Sequence, residues 1–311
     1  MFSGFSKKAF LIIFAAAIFY VALAFYSDAS AFTRNFQTIR LELIPLILIA
    51  ALSSMIIRAF RQYFLLKSIL IEIPIKKNIQ IYLSGLSMLI TPGGAGEVVK
   101  SFFIKRNYGF DMSKTIPFVI AERFYDFVGT ITLIGITIIF YNHIVAKILF
   151  ALGIIIIIVV FVIARNDCFW NFTHRKLSKI RFTHKLAENL PSSNYSVKQL
   201  SGRRISLISW TLSLVAILME ALSVYLSFIA MGVKFDFFLS SQIAYSSGLL
   251  GIISLLPGGL GVTEGSMIAF LASNGVKLAI ASSVVLLTRL TTLWFSTIIG
   301  FIYVRVIMKK R

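Results

Sequence analysis

The sequence predicts an all-α polytopic membrane protein: six full spans plus two Pro-Gly-Gly re-entrant hairpins, eight hydrophobic segments in an inverted repeat. Three observations carry this. First, the 311 residues are 58% hydrophobic and 14% charged, with a mean hydropathy of +0.89; soluble domains average about 45–50% and about 25%. Second, apolar runs near the roughly 20 residues of one bilayer crossing recur from end to end. Third, Pro-Gly-Gly-x-Gly occurs twice, at Pro92 to Gly96 and at Pro257 to Gly261. The composition excludes an ordinary soluble enzyme and a disordered chain. Residues 1–311 read as a single integral membrane domain. The longest polar stretch, Arg165 to Arg204, is near the size of about 40 residues below which a domain rarely folds unaided.

Lys7 and Lys8 precede the first apolar run, Ala9 to Tyr26. Ala29-Ser30-Ala31 resembles a signal-peptidase site, but the run is longer than the usual 7–15 residues of a signal core, which favours a retained span. A second span begins near Ile39 and continues through Leu43 to Ile57. Arg58, Arg61, Lys67, Lys76 and Lys77 follow it and read as cytoplasmic. Asn78 to Ile90 is then too short to cross. It runs into Thr91-Pro92-Gly93-Gly94-Ala95-Gly96-Glu97, where Pro and clustered Gly end a helix. Lys100, Lys105, Arg106 and Lys114 come next, cytoplasmic again by charge, so this segment is expected to enter and leave on one side. Broken backbone at that depth must be buried in protein or line a wet cavity.

Thr115 to Tyr141 crosses outward and Ile144 to Ala164 returns. The basic loop 165–204 is assigned to the cytoplasm. Ile205 to Met231 crosses out. Phe238 to Leu256 dips to Pro257-Gly258-Gly259-Leu260-Gly261 and climbs back through Ser266 to Ser273. Val276 to Val304 returns inside. In this layout 24 of the 31 Lys+Arg lie in cytoplasmic segments, five lie outside, and Arg123 and Arg289 lie within spans. Both termini are expected in the cytoplasm of a cell-membrane protein. Counting each hairpin as a full crossing gives eight spans, at the cost of four basic residues placed outside. The net charge of +19 would suggest nucleic acid in a soluble protein; here it reads as positive-inside asymmetry beside anionic lipid, and no nucleic-acid partner is expected.

The two hairpins match beyond the pentapeptide. An acid follows each, Glu97 and Glu264. An arginine lies in the next span, Arg123 31 residues after Pro92 and Arg289 32 after Pro257. Residues 1–141 and 144–311 thus form halves of opposite orientation, the design of many secondary transporters, whose sites lie near the midplane at discontinuous helices. Mid-bilayer Arg is costly and should face protein or water. Arg123 shares its helix with Glu122 and Asp126, and Asp126, three residues on, is placed to hold its guanidinium. Glu220 sits alone halfway along another span, as a structural carboxyl or a proton-coupling site. One reading is a polar cavity whose Arg123 and Arg289 meet an anionic head group. The tips at Gly93, Gly94, Gly96, Gly258, Gly259 and Gly261 would then offer backbone N–H donors. The other reading is buried ion pairs that pin helices together.

Catalytic patterns are missing. His143, His174 and His184 share no metal-ligand spacing and are expected in loops. Gly85-Leu86-Ser87 lacks an intramembrane His as its base. There is no P-loop, Rossmann fingerprint or paired-Asp diphosphate motif. No catalytic residue, metal or cofactor is expected, and the single Cys168 excludes an internal disulfide.

Thr91 to Glu97, Glu122-Arg123-Phe124-Tyr125-Asp126, Leu256 to Gly265 and Arg289 together resemble the flippase-like membrane domain of lysylphosphatidylglycerol synthases. The resemblance spans nearly the whole chain. Stand-alone relatives include an uncharacterised UPF0104 group and archaeal proteins linked to dolichol-phosphate-based glycosylation. It implies a lipid head-group translocase rather than an enzyme, with Glu97, Glu122, Arg123, Asp126, Glu264 and Arg289 as the positions carried over. The soluble aminoacyl-transferase domain of the synthases is missing from this sequence, so lysine transfer from tRNA is not expected. The expected function is transport of an anionic or polyprenyl-phosphate-linked lipid. The alternative is an integral-membrane transferase or an accessory subunit of a glycan or lipid synthesis complex, with the basic loop docking its partner.

Overall fold

The computed structural model describes residues 35, 37–178 and 184–309, and its elements are all helical. Five helical segments among these are long and apolar enough to cross a membrane, and each coincides with an expected span. The first expected span, Ala9 to Tyr26, lies outside the described residues.

Helix α1 (Ile44–Ser68) starts with Pro45 in its first turn, where a missing N–H costs nothing. It runs 11 residues beyond the Ile57 boundary expected from hydropathy, so Arg58 and Arg61 are helical and inside the bundle rather than in a cytoplasmic loop. Arg61 is fully buried. Lys100, also expected at the cytoplasmic surface, is fully buried too. Moving these three inward lowers the cytoplasmic count of the expected layout from 24 to 21, against five expected outside.

The first broken segment comprises α2 (Ile75–Gly85), a 3-10 turn at Leu86–Met88, a tip in 3-10 conformation at Pro92–Val98, and α3 (Val99–Tyr108). Its two arms pack against each other. Then come α4 (Met112–Phe140) and α5 (Ile144–Arg165), joined by the expected tight turn. Helix α5 leaves Ile148, Leu152, Ile155, Ile158 and Val162 exposed and buries only Ala146, Leu149 and Gly153. An apolar surface of that extent is stable against hydrocarbon, not water.

The basic loop is two helices, α6 (Asp167–Ser178) and α7 (His184–Leu200). His174 and His184 are therefore helical rather than in loops. Ser193 donates to the Ser113 carbonyl at 2.8 Å, and Tyr125 donates to the Leu200 carbonyl at 2.8 Å, fixing α7 against the first half of α4. Helix α8 (Arg203–Ala230) forms the most extensive helix pair with α1. Helix α1 buries the small residues Ala50, Ala51 and Ser54, and α8 buries Ser213, Ala216 and Ala221. Small side chains let backbones approach closely where lipid supplies no hydrophobic drive between helices.

The second broken segment comprises α9 (Phe237–Ile253), a tip at Pro257–Gly259 and α10 (Val262–Ser273). Asp236 caps α9 by accepting from the Phe238 and Leu239 amides at 2.8 and 3.0 Å. The chain reverses where Gly258, Gly259 and Gly261 take φ of 61, 66 and 84°, a region costly for residues bearing a Cβ. The two tips meet: a Cβ added to Gly258 would lie 3.8 Å from Ile90 Cα. The last span is α11 (Leu278–Arg289) and α12 (Phe295–Lys309), joined through a π-helical turn at Leu290–Trp294 that hydropathy could not reveal. Thr291, Thr292, Ser296 and Thr297 donate back to carbonyls four residues earlier along this stretch.

Candidate functional site: charges gathered between two broken helices

Helix α4 carries Glu122, Arg123 and Asp126 on neighbouring faces, and each meets a different partner. Glu122 accepts from Lys100 Nζ at 2.7 Å, and the same ammonium lies 2.7 Å from Glu97. All three are fully buried. The Lys100 stem passes over Gly85, where a Cβ would stand 2.7 Å from its Cγ and Cδ, so any side chain there would displace it. Arg123 donates to Glu97. Its distance to Asp126, the partner expected from spacing, is 3.9 Å. Asp126 is instead the hub for α1: Arg61 reaches it at 2.6 and 3.1 Å, and Arg58 Nε at 3.2 Å. Arg58 also donates to Glu220 at 2.6 Å and to Ser54 at 2.9 Å.

The second tip repeats the acid–arginine clasp of the first. Arg289 Nε donates to Glu264 at 2.7 Å, and its Nη2 donates to the Gly258 carbonyl. The other Glu264 oxygen accepts from the Gly261 amide at 2.8 Å. At the first tip the Gly96 amide donates to the Thr91 hydroxyl at 2.8 Å. The Gly259 amide donates to the Leu256 carbonyl at 2.9 Å, so three of the backbone donors expected for a ligand are engaged within the chain. Gly93 and Gly94 lie in the 3-10 stretch Pro92–Val98, and Gly259 shapes the second tip by its positive φ.

Part of this network borders a cavity of about 200 Å³ lined by Arg58, Arg123, Arg289, Asp126, Glu220 and Tyr82, with apolar neighbours including Met55 and Leu89; Glu97, Glu122, Glu264 and the tip glycines are not in its lining. Of its guanidiniums, the Arg123 side chain is 36% exposed and that of Arg289 12%, so both present surface to the cavity while paired. Among the described residues, the interior cations Arg58, Arg61, Lys100, Arg123 and Arg289 face an equal number of acids, Glu97, Glu122, Asp126, Glu220 and Glu264. No group of three or more His, Cys, Asp or Glu among those residues has the arrangement of a metal site.

The sequence reading missed Arg58, Arg61, Lys100 and Tyr82. Two signals pointed to the first three. Tyr63-Phe64-Leu65-Leu66 continues the apolar pattern past both arginines, and Lys100 stands three residues after Glu97, on the same helical face.

Ionised side chains sequestered among helices long and apolar enough to span a bilayer define an integral membrane protein. The chain belongs to the family described as the lysylphosphatidylglycerol synthase TM region, whose profile matches residues 10–300. It is similar to stand-alone proteins named only as UPF0104 membrane proteins. One from Methanothermobacter thermautotrophicus is 28% identical over 73% of this chain and 71% of its own length. One from Pyrococcus horikoshii is 27% identical over 81% and 83%. One from Methanocaldococcus jannaschii is 27% identical over 71% of this chain and 95% of its own length.

Proposed function

We propose that the protein moves a phosphate-bearing lipid between the leaflets of the cell membrane, its head group passing the cavity while the tails stay in the bilayer. The observation that carries this reading is the cavity itself, where Arg58, Arg123 and Arg289 converge at the meeting point of two broken helices. Guanidinium matches phosphate in a two-pronged geometry. A head group of that charge does not cross about 30 Å of hydrocarbon unaided. The broken segments act as re-entrant hairpins of an inverted repeat, and the matched clasps Arg123–Glu97 and Arg289–Glu264 mark equivalent places in the two halves. Both termini face the cytoplasm. Glu97, Glu122, Asp126 and Glu264 act as counter-ions that hold the cations in place, not as direct ligands.

Purified protein in liposomes should equilibrate labelled phosphatidylglycerol or a labelled polyprenyl phosphate between leaflets without nucleotide. Arg289→Ala should slow this far more than Arg305→Ala, because Arg305 lies on the exposed end of α12. If neither lipid moves faster than in empty vesicles, with or without an imposed ion gradient, the transport reading fails. A transferase or an accessory subunit of a lipid or glycan synthesis complex would then be the better description.

A further inference from the structure

The balance of interior charges sets a condition on any anion that enters. Among the described residues, the three cations that line the cavity belong to a network in which five cations are matched by five acids, so these residues offer it no unpaired positive charge. A phosphate arriving beside Arg58 would add a negative charge next to Asp126 and Glu220. Like charges held that close disfavour joint ionisation. One carboxylate must therefore give up its charge or move away.

The geometry singles out Glu220. Its side chain is 29% exposed, against 15% for Asp126 and none for Glu97, Glu122 and Glu264. Among the described residues its ion pair is with Arg58 alone, whereas Asp126 contacts Arg58, Arg61 and Arg123. It lines the cavity together with Arg58, Arg123 and Arg289. Among the described residues, the charged and titratable groups facing this region are Arg58 and Arg61 from α1, Tyr82 from α2, Arg123 and Asp126 from α4, Tyr245 from α9 and Arg289 from α11. Arg58 is the cation that a neutral Glu220 would release.

Resting on the head-group reading above, we propose that Glu220 takes up one proton as the phosphate binds, so that a lipid anion and a proton occupy the cavity together. The proton comes from water and settles on a Glu220 carboxylate oxygen. Arg58 Nη2 turns its N–H from Glu220 to a phosphate oxygen, and the interior stays neutral. Glu220 is a positioning and coupling residue here; it makes no bond to the phosphorus.

The test uses titration calorimetry of the detergent-solubilised full chain with two soluble probes, dihexanoyl phosphatidylglycerol and geranyl methyl phosphate. Both are phosphodiesters whose single charge is fixed near neutral pH. Repeating each titration in two buffers of different ionisation enthalpy gives the protons taken up per probe bound. The expected result is an uptake of about one proton, with affinity falling up to about tenfold per pH unit in the alkaline range. Glu220→Gln should bind the probe with no proton uptake and with affinity flat against pH, whereas Glu42→Gln, outside the cavity, should behave as wild type. Binding to wild type without proton uptake would overturn the proposal and leave the head-group reading standing. Undiminished uptake in Glu220→Gln would overturn it likewise. Failure of wild type to bind either probe would overturn both. The wild-type proton count needs no variant, so the test holds even if Glu220→Gln does not fold.

Discussion

At the scale of single residues, Lys100 is the clearest case of a charge that sequence misplaces and structure explains. A lysine just after a broken apolar segment looks like a flanking charge, and only the fold shows its ammonium between two buried carboxylates. Lys100→Met should lower stability by about 3–5 kcal/mol, because two acids lose their shared cation in a site without water. Adding Glu122→Gln should recover much of that loss, as read by thermal unfolding in detergent. A Lys100→Met protein as stable as wild type would sink the pinning role. Asp236, outside the spans, gives a pH test. Slight burial works against its charge. The Tyr141 hydroxyl and the Leu239 and Phe238 amides outweigh that and hold its carboxyl below the usual 3.8. A depressed carboxylate contributes stability above its unfolded pKa and loses it as pH falls through the folded value. Asp236→Ala should therefore cost about 1 kcal/mol at neutral pH as a lost helix cap. The gap to wild type should close as the solution is acidified below the normal aspartate range.

At the scale of elements, the two broken segments were legible because Pro and clustered Gly are backbone signals that read the same in any context. The matched offsets of Glu97 to Arg123 and Glu264 to Arg289 were legible too, and the fold joins each into a contact. Their sidedness is open to labelling. In a Cys168→Ser background, single cysteines at Lys77 and Lys114 should react with an impermeant reagent only after permeabilisation, and those at Lys234 and Asn274 on intact cells. Reaction at Lys114 on intact cells would favour eight full spans. The π turn was illegible because Leu290-Thr291-Thr292-Leu293-Trp294 reads as ordinary helix; its extra residue per turn is a matter of backbone pairing. Winding the same residues as regular α-helix would swing Gly300 by about 100° away from the Ser87 backbone it now abuts, whereas deleting Thr292 removes the extra residue and keeps Gly300 facing Ser87. A deletion protein that folds with near wild-type thermal stability would be the expected sign, and a large loss would count against this account of the turn.

At the scale of the whole molecule, hydropathy located the five described long helices but not their depth, which side chains beyond the hydropathic boundary decide. Arg58 and Arg61 ended the second span by charge and extend it by structure, since each finds a carboxylate on another helix. No single-segment rule contains that information, because the partners lie 65 residues or more along the chain. The meeting of Gly258 with Ile90 has a last consequence, an electrical one. If the proposed hairpins let water reach the cavity from one face of the membrane and the second tip from the other, most of the membrane voltage would fall across that short contact. One elementary charge moved through it responds to about 2.3 kcal/mol per 100 mV. A lipid anion travelling alone would feel that full drop, whereas an anion accompanied by its proton would pass without sensing it. Flux measured against a potassium-diffusion potential in vesicles would distinguish the two.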